Sequence, residues 1–250
     1  MKKEQIKITD SWEHLKQFTA ARIAVGRVGT SIPLKESLDF KLAHAHARDA
    51  VYSELDQPML MKALQHMQIP TIEVRSRAQT RQEYLQRPDL GRLPEEASLK
   101  LLHAHRGKHD ISIILADGLS AEAINRHAVP LLNYLLPLLK DSVYQLAPIC
   151  IALQSRVALG DHIAEGLGAR LSVVLIGERP GLSAADSIGA YLTFNPRPGL
   201  TDESRNCVSN IRKGGLPVEE AARKIFYLIQ ESFRRKLSGV ELKDNNGLIA

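Results

Sequence analysis

Cysteine, aromatic side chains and long hydrophobic runs are all scarce in this sequence, and each scarcity excludes a class of protein. Two cysteines in 250 residues cannot build a disulfide framework. Aromatic residues make up only 5% of the chain, which leaves few rings on which single-stranded nucleic acid could stack. The most apolar stretch, residues 130–139, is interrupted by proline and is too short to cross a bilayer. We therefore expect neither nucleic acid nor a membrane as a partner.

Several motifs of nucleotide, metal and ester chemistry are also absent. The sequence has no G-x-G-x-x-G, no G-x-x-x-x-G-K-[ST] and no G-x-S-x-G, which argues against a dinucleotide fold, a P-loop nucleotidase and an α/β-hydrolase. Neither C-x-x-C nor H-E-x-x-H occurs, so we expect no metal site. Residues 1–10 contain no apolar stretch of the kind found in signal peptides, which predicts a cytoplasmic location.

The composition that remains is typical of a globular chain with an ample core. Apolar residues make up 44% of the sequence and charged residues 24%, and the net charge of +5 is spread along the chain. A length of 250 residues suffices for one large domain or two small ones.

Residues 1–107 are predicted to be mostly helical. Apolar residues recur at helical period from Leu34 to about Leu55, which predicts a long helix. Asp56 followed by Pro58 is typical of the cap and first turn of another helix. The sequence TIEVR, at residues 71–75, favours a short strand.

Residues 108–250 are predicted to form an α/β domain. Four apolar runs, at residues 111–118, 148–154, 171–177 and 187–196, follow one another with helical segments between most of them, and a final helix runs from Pro217 to about Leu237. Alternation of strands and helices indicates βαβ units and a parallel sheet. The predicted fold class is therefore α/β, with a mostly helical amino-terminal portion followed by a Rossmann-like, doubly wound parallel sheet.

Polar residues follow three of the predicted strands, at 117–118, 154–157 and 177–179. Ligands of open parallel sheets bind outside the carboxyl ends of the strands, so these loops are expected to converge on one crevice, with Glu178 facing the ligand. Residues 204–215 contain small polar groups and a Gly-Gly pair, and this composition favours a plain connection over a binding lip.

Six segments together resemble one family. They are TAARIAVGRVG (19–29), HARDAV (46–51), YLQRPDLGR (84–92), LADGLSAEAI (115–124), IGERPGL (176–182) and CVSNIRKGGLPVEEAA (207–222). Their sequences and their order resemble the small (light) chain of ethanolamine ammonia-lyase from about residue 19 to residue 240. The ERPG and C-x-SNI-x-x-GG segments are the specific ones.

The resemblance implies the non-catalytic subunit of an adenosylcobalamin-dependent lyase that converts ethanolamine to acetaldehyde and ammonia. In that family the large subunit carries the substrate site and the radical chemistry, and the corrin lies between the two chains. No D-x-H-x-x-G is present, so the cofactor is expected to keep its own benzimidazole on cobalt, in the base-on form.

The resemblance carries three cofactor-binding positions onto this sequence. Val157 would offer an apolar or main-chain contact, Glu178 would accept hydrogen bonds from the corrin amides or the nucleotide loop, and Cys207 would pack as a small soft group. Contact by Arg156, Asp117 or Asn210 is left open.

Two other hypotheses about the function remain open beside the one that the family resemblance implies. The chain could be a stand-alone α/β binding module for a nucleotide-like ligand, or a structural partner that only assembles another chain. Many family members also carry an amino-terminal extension linked to packaging in a bacterial microcompartment. This sequence reaches the first family segment within about twenty residues, which leaves little of that extension and favours a free cytoplasmic complex over encapsulation.

Overall fold

The computed structural model describes residues 7–8, 10–19 and 21–243. Its helices are α1 (Leu34–Val51), α2 (Gln57–His66), α3 (Arg81–Gln86), α4 (Glu96–Ala104), α5 (Ala121–Lys140), α6 (Leu159–Leu167) and α7 (Val218–Arg235). Its strands are β1 (Lys7–Ile8), β2 (Arg27–Val28), β3 (Thr71–Arg75), β4 (His109–Ala116), β5 (Ile149–Leu153), β6 (Ala169–Gly177), β7 (Ile188–Phe194) and β8 (Arg205–Ile211). No helix in these ranges is long and apolar enough to cross a membrane.

The α/β class is confirmed, but the prediction of an all-parallel, Rossmann-like sheet is wrong for its last two strands. Six strands form one sheet in the order β3-β5-β4-β6-β7-β8. The first four are parallel, whereas β7 is antiparallel to both β6 and β8. A parallel crossover usually needs a dozen or more residues and a helix, and residues 178–187 between β6 and β7 provide neither.

The expectation of a plain connection at residues 204–215 is also wrong, because residues 205–211 form the edge strand β8. The pairing with β7 is interrupted between Ala190 and Ile188, where β8 has two residues, Ser209 and Asn210, opposite one on β7. Such a bulge shifts the alternation of side chains, so both Val208 and Ile211 are buried in the same core. The shifted alternation is what obscures this strand in the sequence.

Helices cover both faces of the parallel part of the sheet but only one face of its antiparallel part. The first face packs against α2, α5 and α7, and the second face packs against α4 and α6. Helix α6 lies mainly on β4 and β6. Within the described part of the chain, the second face of β7 and β8 therefore carries no helix where Tyr191 and Cys207 lie side by side.

The helix predicted from Leu34 ends at Val51, four residues earlier than expected. Asp56 does cap the next helix, since its carboxylate accepts a 3.0 Å hydrogen bond from the Met59 N–H, and Pro58 lies in the first turn. The apolar stripe of α1 faces solvent; Leu34, for example, is 74% exposed.

A buried ion pair joins α6 to the edge strand. The guanidinium of Arg205 donates two 2.7 Å hydrogen bonds to the Asp161 carboxylate, and both side chains are only 2% exposed. Nη1 also donates to Thr193 Oγ1, and Nη2 donates to the Leu200 carbonyl. Burial alone would lower the pKa of Arg205, but the bonds to Asp161 outweigh burial and raise it.

We expect Arg205→Ala to destabilise the fold by about 3–5 kcal/mol, because it leaves the buried Asp161 carboxylate without its partner. Urea unfolding followed by circular dichroism measures this. Arg87→Ala is the matched control, since the pair of Arg87 with Asp89 is exposed and its loss leaves the unfolding midpoint unchanged. Equal midpoints for the two variants would contradict the role assigned to Arg205.

Candidate functional site

The carboxyl ends of the four parallel strands form one row, as the sequence predicts. Their backbones approach closely at the junction of β4 and β6, where Leu119 N–H donates to the Gly177 carbonyl. Gly118 adopts a left-handed φ of 57°, and a Cβ there would lie 2.2 Å from that carbonyl oxygen. Only glycine at position 118 therefore allows the backbones at the ends of β4 and β6 to approach this closely.

Asp117, one of the three residues left open as ligand contacts, is engaged in holding this row together. Its carboxylate accepts hydrogen bonds from the backbone N–H groups of Gly118, Ser155 and Gln154, at 2.8, 2.9 and 2.7 Å. Burial raises the pKa of Asp117 to about 6, against the opposing effect of these bonds and of Arg81. The group is still ionised at neutral pH, and its oxygens are occupied by the backbone.

Arg156 is likewise engaged inside the protein. Its guanidinium lies 4.2 Å from the centroid of the Tyr84 ring and donates to the Tyr84 carbonyl. The Tyr84 hydroxyl in turn donates to the Ser155 carbonyl at 2.9 Å. This stack fixes the loop that leads into α6, and it sets the position of Val157.

Glu178 lies just beyond β6 and is held by the bulge in β8. Its two carboxylate oxygens accept from the Asn210 N–H at 3.3 and 3.1 Å. Asn210 has a left-handed φ of 56°, which asparagine tolerates better than most residues. Opposite them, a Cβ at Gly189 would lie 3.1 Å from Glu178 Oε1, so glycine leaves room for the carboxylate. Asn210 thus binds Glu178 through its backbone N–H and not through its side chain.

Cys207 and Tyr191 are direct partners across β7 and β8, which brings the Tyr191 hydroxyl next to the Cys207 thiol. Cys207 is exposed as a residue. Neighbouring atoms nevertheless desolvate its thiol in part, and this desolvation raises the pKa of the thiol. The bond from Tyr191 acts in the opposite direction, and the Glu178 carboxylate adds to the rise. Glu178 and Cys207, predicted separately, are therefore electrostatically coupled.

Val157 packs against the same apolar cluster as Tyr191. Val157 and Tyr191 are both half-buried at the margin of the hydrophobic cluster between the sheet, α4 and α6. Val157 also lines a cavity of about 520 Å³ beside His162 and Leu200, which neither Glu178 nor Cys207 reaches. The described residues contain no cluster of three or more His, Cys, Asp or Glu side chains that could hold a metal ion.

Tyr191 is the residue that the sequence analysis missed. It packs against the apolar cluster that Val157 also contacts, and it interacts with the Cys207 thiol and with the charge of Glu178. Its signal in the sequence is weak: a single polar ring in the apolar run of β7, one position out of phase with the residues that face the opposite core.

The comparison with known families decides the identity of the chain. Residues 9–243 match the family described as ethanolamine ammonia-lyase light chain (EutC). The chain belongs to this family. The resemblance found in the six sequence segments is thereby confirmed.

Individual light-chain relatives support the assignment. The ethanolamine ammonia-lyase small subunit of Azotobacter vinelandii is 52% identical over 237 residues, covering 93% of this chain and 88% of the relative. The small subunit of Xanthomonas campestris pv. campestris is 50% identical over 239 residues, covering 94% and 88%. That of Pseudomonas fluorescens is 47% identical over 248 residues, covering 98% and 90%.

In this light chain, we expect Tyr191→Phe to slow alkylation of Cys207. The change removes the hydroxyl that stabilises the thiolate, so the raised pKa of Cys207 rises further and less thiolate is present at a given pH. Iodoacetamide labelling rates measured from about pH 7 to about pH 11, which extends well above the ordinary thiol pKa, give the midpoint. Cys150 is buried and does not contribute. Tyr52→Phe, at an exposed ring, is the control, and an unshifted midpoint in Tyr191→Phe would contradict the bond.

Proposed function

We propose that this chain is the non-catalytic small subunit of an adenosylcobalamin-dependent ethanolamine ammonia-lyase. In this proposal residues 108–250 complete the cobalamin site where the chain meets a larger catalytic subunit. The observation that carries the proposal is that Glu178 and Cys207 both interact with Tyr191 on the part of the sheet that α4 and α6 leave open, with Val157 at the margin of the same apolar cluster as Tyr191.

The chemistry of these side chains fits a corrin. Cobalamin has a ring edge rich in primary amides, which donate hydrogen bonds. The Glu178 carboxylate uses part of its accepting capacity on one backbone N–H, and the rest stays available for such donors. Val157 and Cys207 supply apolar and soft surface on which a ring can pack. When bound, adenosylcobalamin, in its base-on form, supplies the radical for the reaction, and this chain's residues bind and orient it.

The open face also suits a site shared by two chains. Cys207, Ser209 and Asn210 are exposed on β8, so a ligand resting there would be covered on one side only. A larger subunit that carries the substrate site would supply the other wall. We propose a cytoplasmic complex, with encapsulation in a microcompartment as its open alternative.

We expect Glu178→Ala to weaken cobalamin binding to the two-subunit complex. Losing a charged hydrogen-bond acceptor costs about 1.5–3 kcal/mol, so the affinity falls about 10- to 100-fold. Glu178→Gln keeps one acceptor oxygen and loses less. Absorbance titration with cobalamin gives the dissociation constants, and Glu96→Ala, on the exposed surface of α4, is the control.

The same titration separates this proposal from the alternatives. Binding only by the two chains together, with ammonia released from ethanolamine, supports the shared site. Tight binding by this chain alone would support a stand-alone binding module instead. An affinity unchanged by Glu178→Ala would leave only an assembly role for this face.

A further inference from the structure

A tight turn follows β8 within CVSNIRKGG (207–215), part of one of the specific segments of the family resemblance. The Gly215 N–H donates to the Arg212 carbonyl at 3.1 Å, which closes the turn. The next N–H, that of Leu216, donates to the Asn210 carbonyl at 2.8 Å. The turn therefore folds back onto Asn210, whose own N–H binds the carboxylate of the candidate site.

The side chain of Asn210 is held by the same turn. Arg212 Nε donates to Asn210 Oδ1 at 2.9 Å, and a charged donor makes this bond stronger than one between neutral groups. Asn210 needs such support, because its left-handed φ of 56° departs from the extended backbone of a strand. A residue other than glycine keeps that conformation only where its surroundings hold it there.

Two glycines leave the space that this arrangement requires. A Cβ at Gly215 would lie 2.3 Å from the Asn210 carbonyl oxygen and 2.6 Å from Asn210 Nδ2, which is too close for any side chain. A Cβ at Gly214 would lie 2.7 Å from Arg212 Nη1. The Gly-Gly pair therefore lets the turn pack against Asn210 and leaves room for the guanidinium that binds its side chain.

We propose that Arg212 is a positioning residue for Glu178 and acts through Asn210. Arg212 and the turn hold Asn210 in its left-handed conformation, and in that conformation the Asn210 N–H reaches the Glu178 carboxylate. Without the bond to Arg212, Asn210 can relax toward the extended conformation, and its N–H then leaves the carboxylate.

A fixed direction matters because a glutamate side chain is otherwise free to rotate. Glu178 is only half-buried, and ordering a flexible side chain opposes binding. The Asn210 N–H orders the carboxylate before a ligand arrives, and the remaining lone pairs still accept from an amide donor. Losing Arg212 therefore lowers the affinity without any contact between Arg212 and the ligand. The effect on cobalamin rests on the proposed function, whereas the effect on the direction of Glu178 does not.

The first test measures the direction of Glu178 in the full chain without cofactor. The bond to the carboxylate shifts the NMR signal of the Asn210 amide proton downfield, so Glu178→Ala shifts this signal upfield. We expect Arg212→Ala to shift it upfield as well. Arg212→Lys should do the same, because lysine keeps the charge but lacks the planar Nε donor.

Lys213→Ala is the matched control, since it removes an exposed cation from the same turn and should leave the Asn210 signal in place. Arg212→Lys decides the matter if Arg212→Ala does not fold. An Asn210 signal that the folded Arg212 variants leave unmoved overturns the inference.

The second test measures cobalamin affinity in the complex with the larger subunit. Arg212→Ala should weaken it about two- to tenfold, which is the usual net effect of one hydrogen bond. In the Glu178→Ala background the same change should weaken it no further, because its effect passes through that carboxylate. Lys213→Ala should leave the affinity unchanged in both backgrounds. An equal loss from Arg212→Ala in both backgrounds would overturn the inference, since Arg212 would then act by another route.

The positioning inference and the proposed function can fail separately. If Glu178→Ala leaves the cobalamin affinity unchanged, the proposed function fails, and the Asn210 signal still decides whether Arg212 positions Glu178. If Glu178→Ala weakens binding and Arg212→Ala does not, the proposed function stands and the positioning inference is wrong.

Discussion

A single buried carboxylate determines the geometry of the sheet's functional edge. Asp117 accepts three backbone N–H groups from two loops that leave neighbouring strands toward opposite faces. Without it the loops after β4 and β5 would lose the bonds that join them, and the loop that continues to Arg156 and Val157 would lose its anchor. Charge-assisted bonds to backbone are among the stronger hydrogen bonds in proteins, which explains why a charge is kept at this buried position.

Much of the fold could be predicted from apolar runs. The strands at 71–75, 109–116, 149–153, 169–177 and 188–194 coincide with the runs, and the cap at Asp56 follows from its side-chain chemistry. Strand direction was not predictable from the runs, because a buried strand has the same composition in either orientation. The information lay in the short link 178–187, which is too short for a helical crossover.

The candidate site was predictable only in part. Glu178 follows a buried strand, and its position at the edge of the sheet can be deduced from the sequence. Its partner Asn210 cannot, because the bulge that turns this N–H toward the carboxylate depends on pairing between distant segments. Tyr191 is hidden for a similar reason: its neighbour Cys207 is 16 positions away and pairs with it only once β7 and β8 have formed.

The bulge in β8 also governs how this surface can be approached. An edge strand exposes unpaired N–H and C=O groups that invite strand addition by another chain, and a bulge bends such an edge out of register. The Asn206 amide adds a second obstacle by bonding to the carbonyls of Gly239 and Leu242, which brings the segment after α7 against the strand. The β8 edge is therefore a poor template for extension of the sheet by simple backbone pairing. Recognition of this edge by another protein would have to rely on side chains and shape, and the same features oppose uncontrolled polymerisation of the chain through β8.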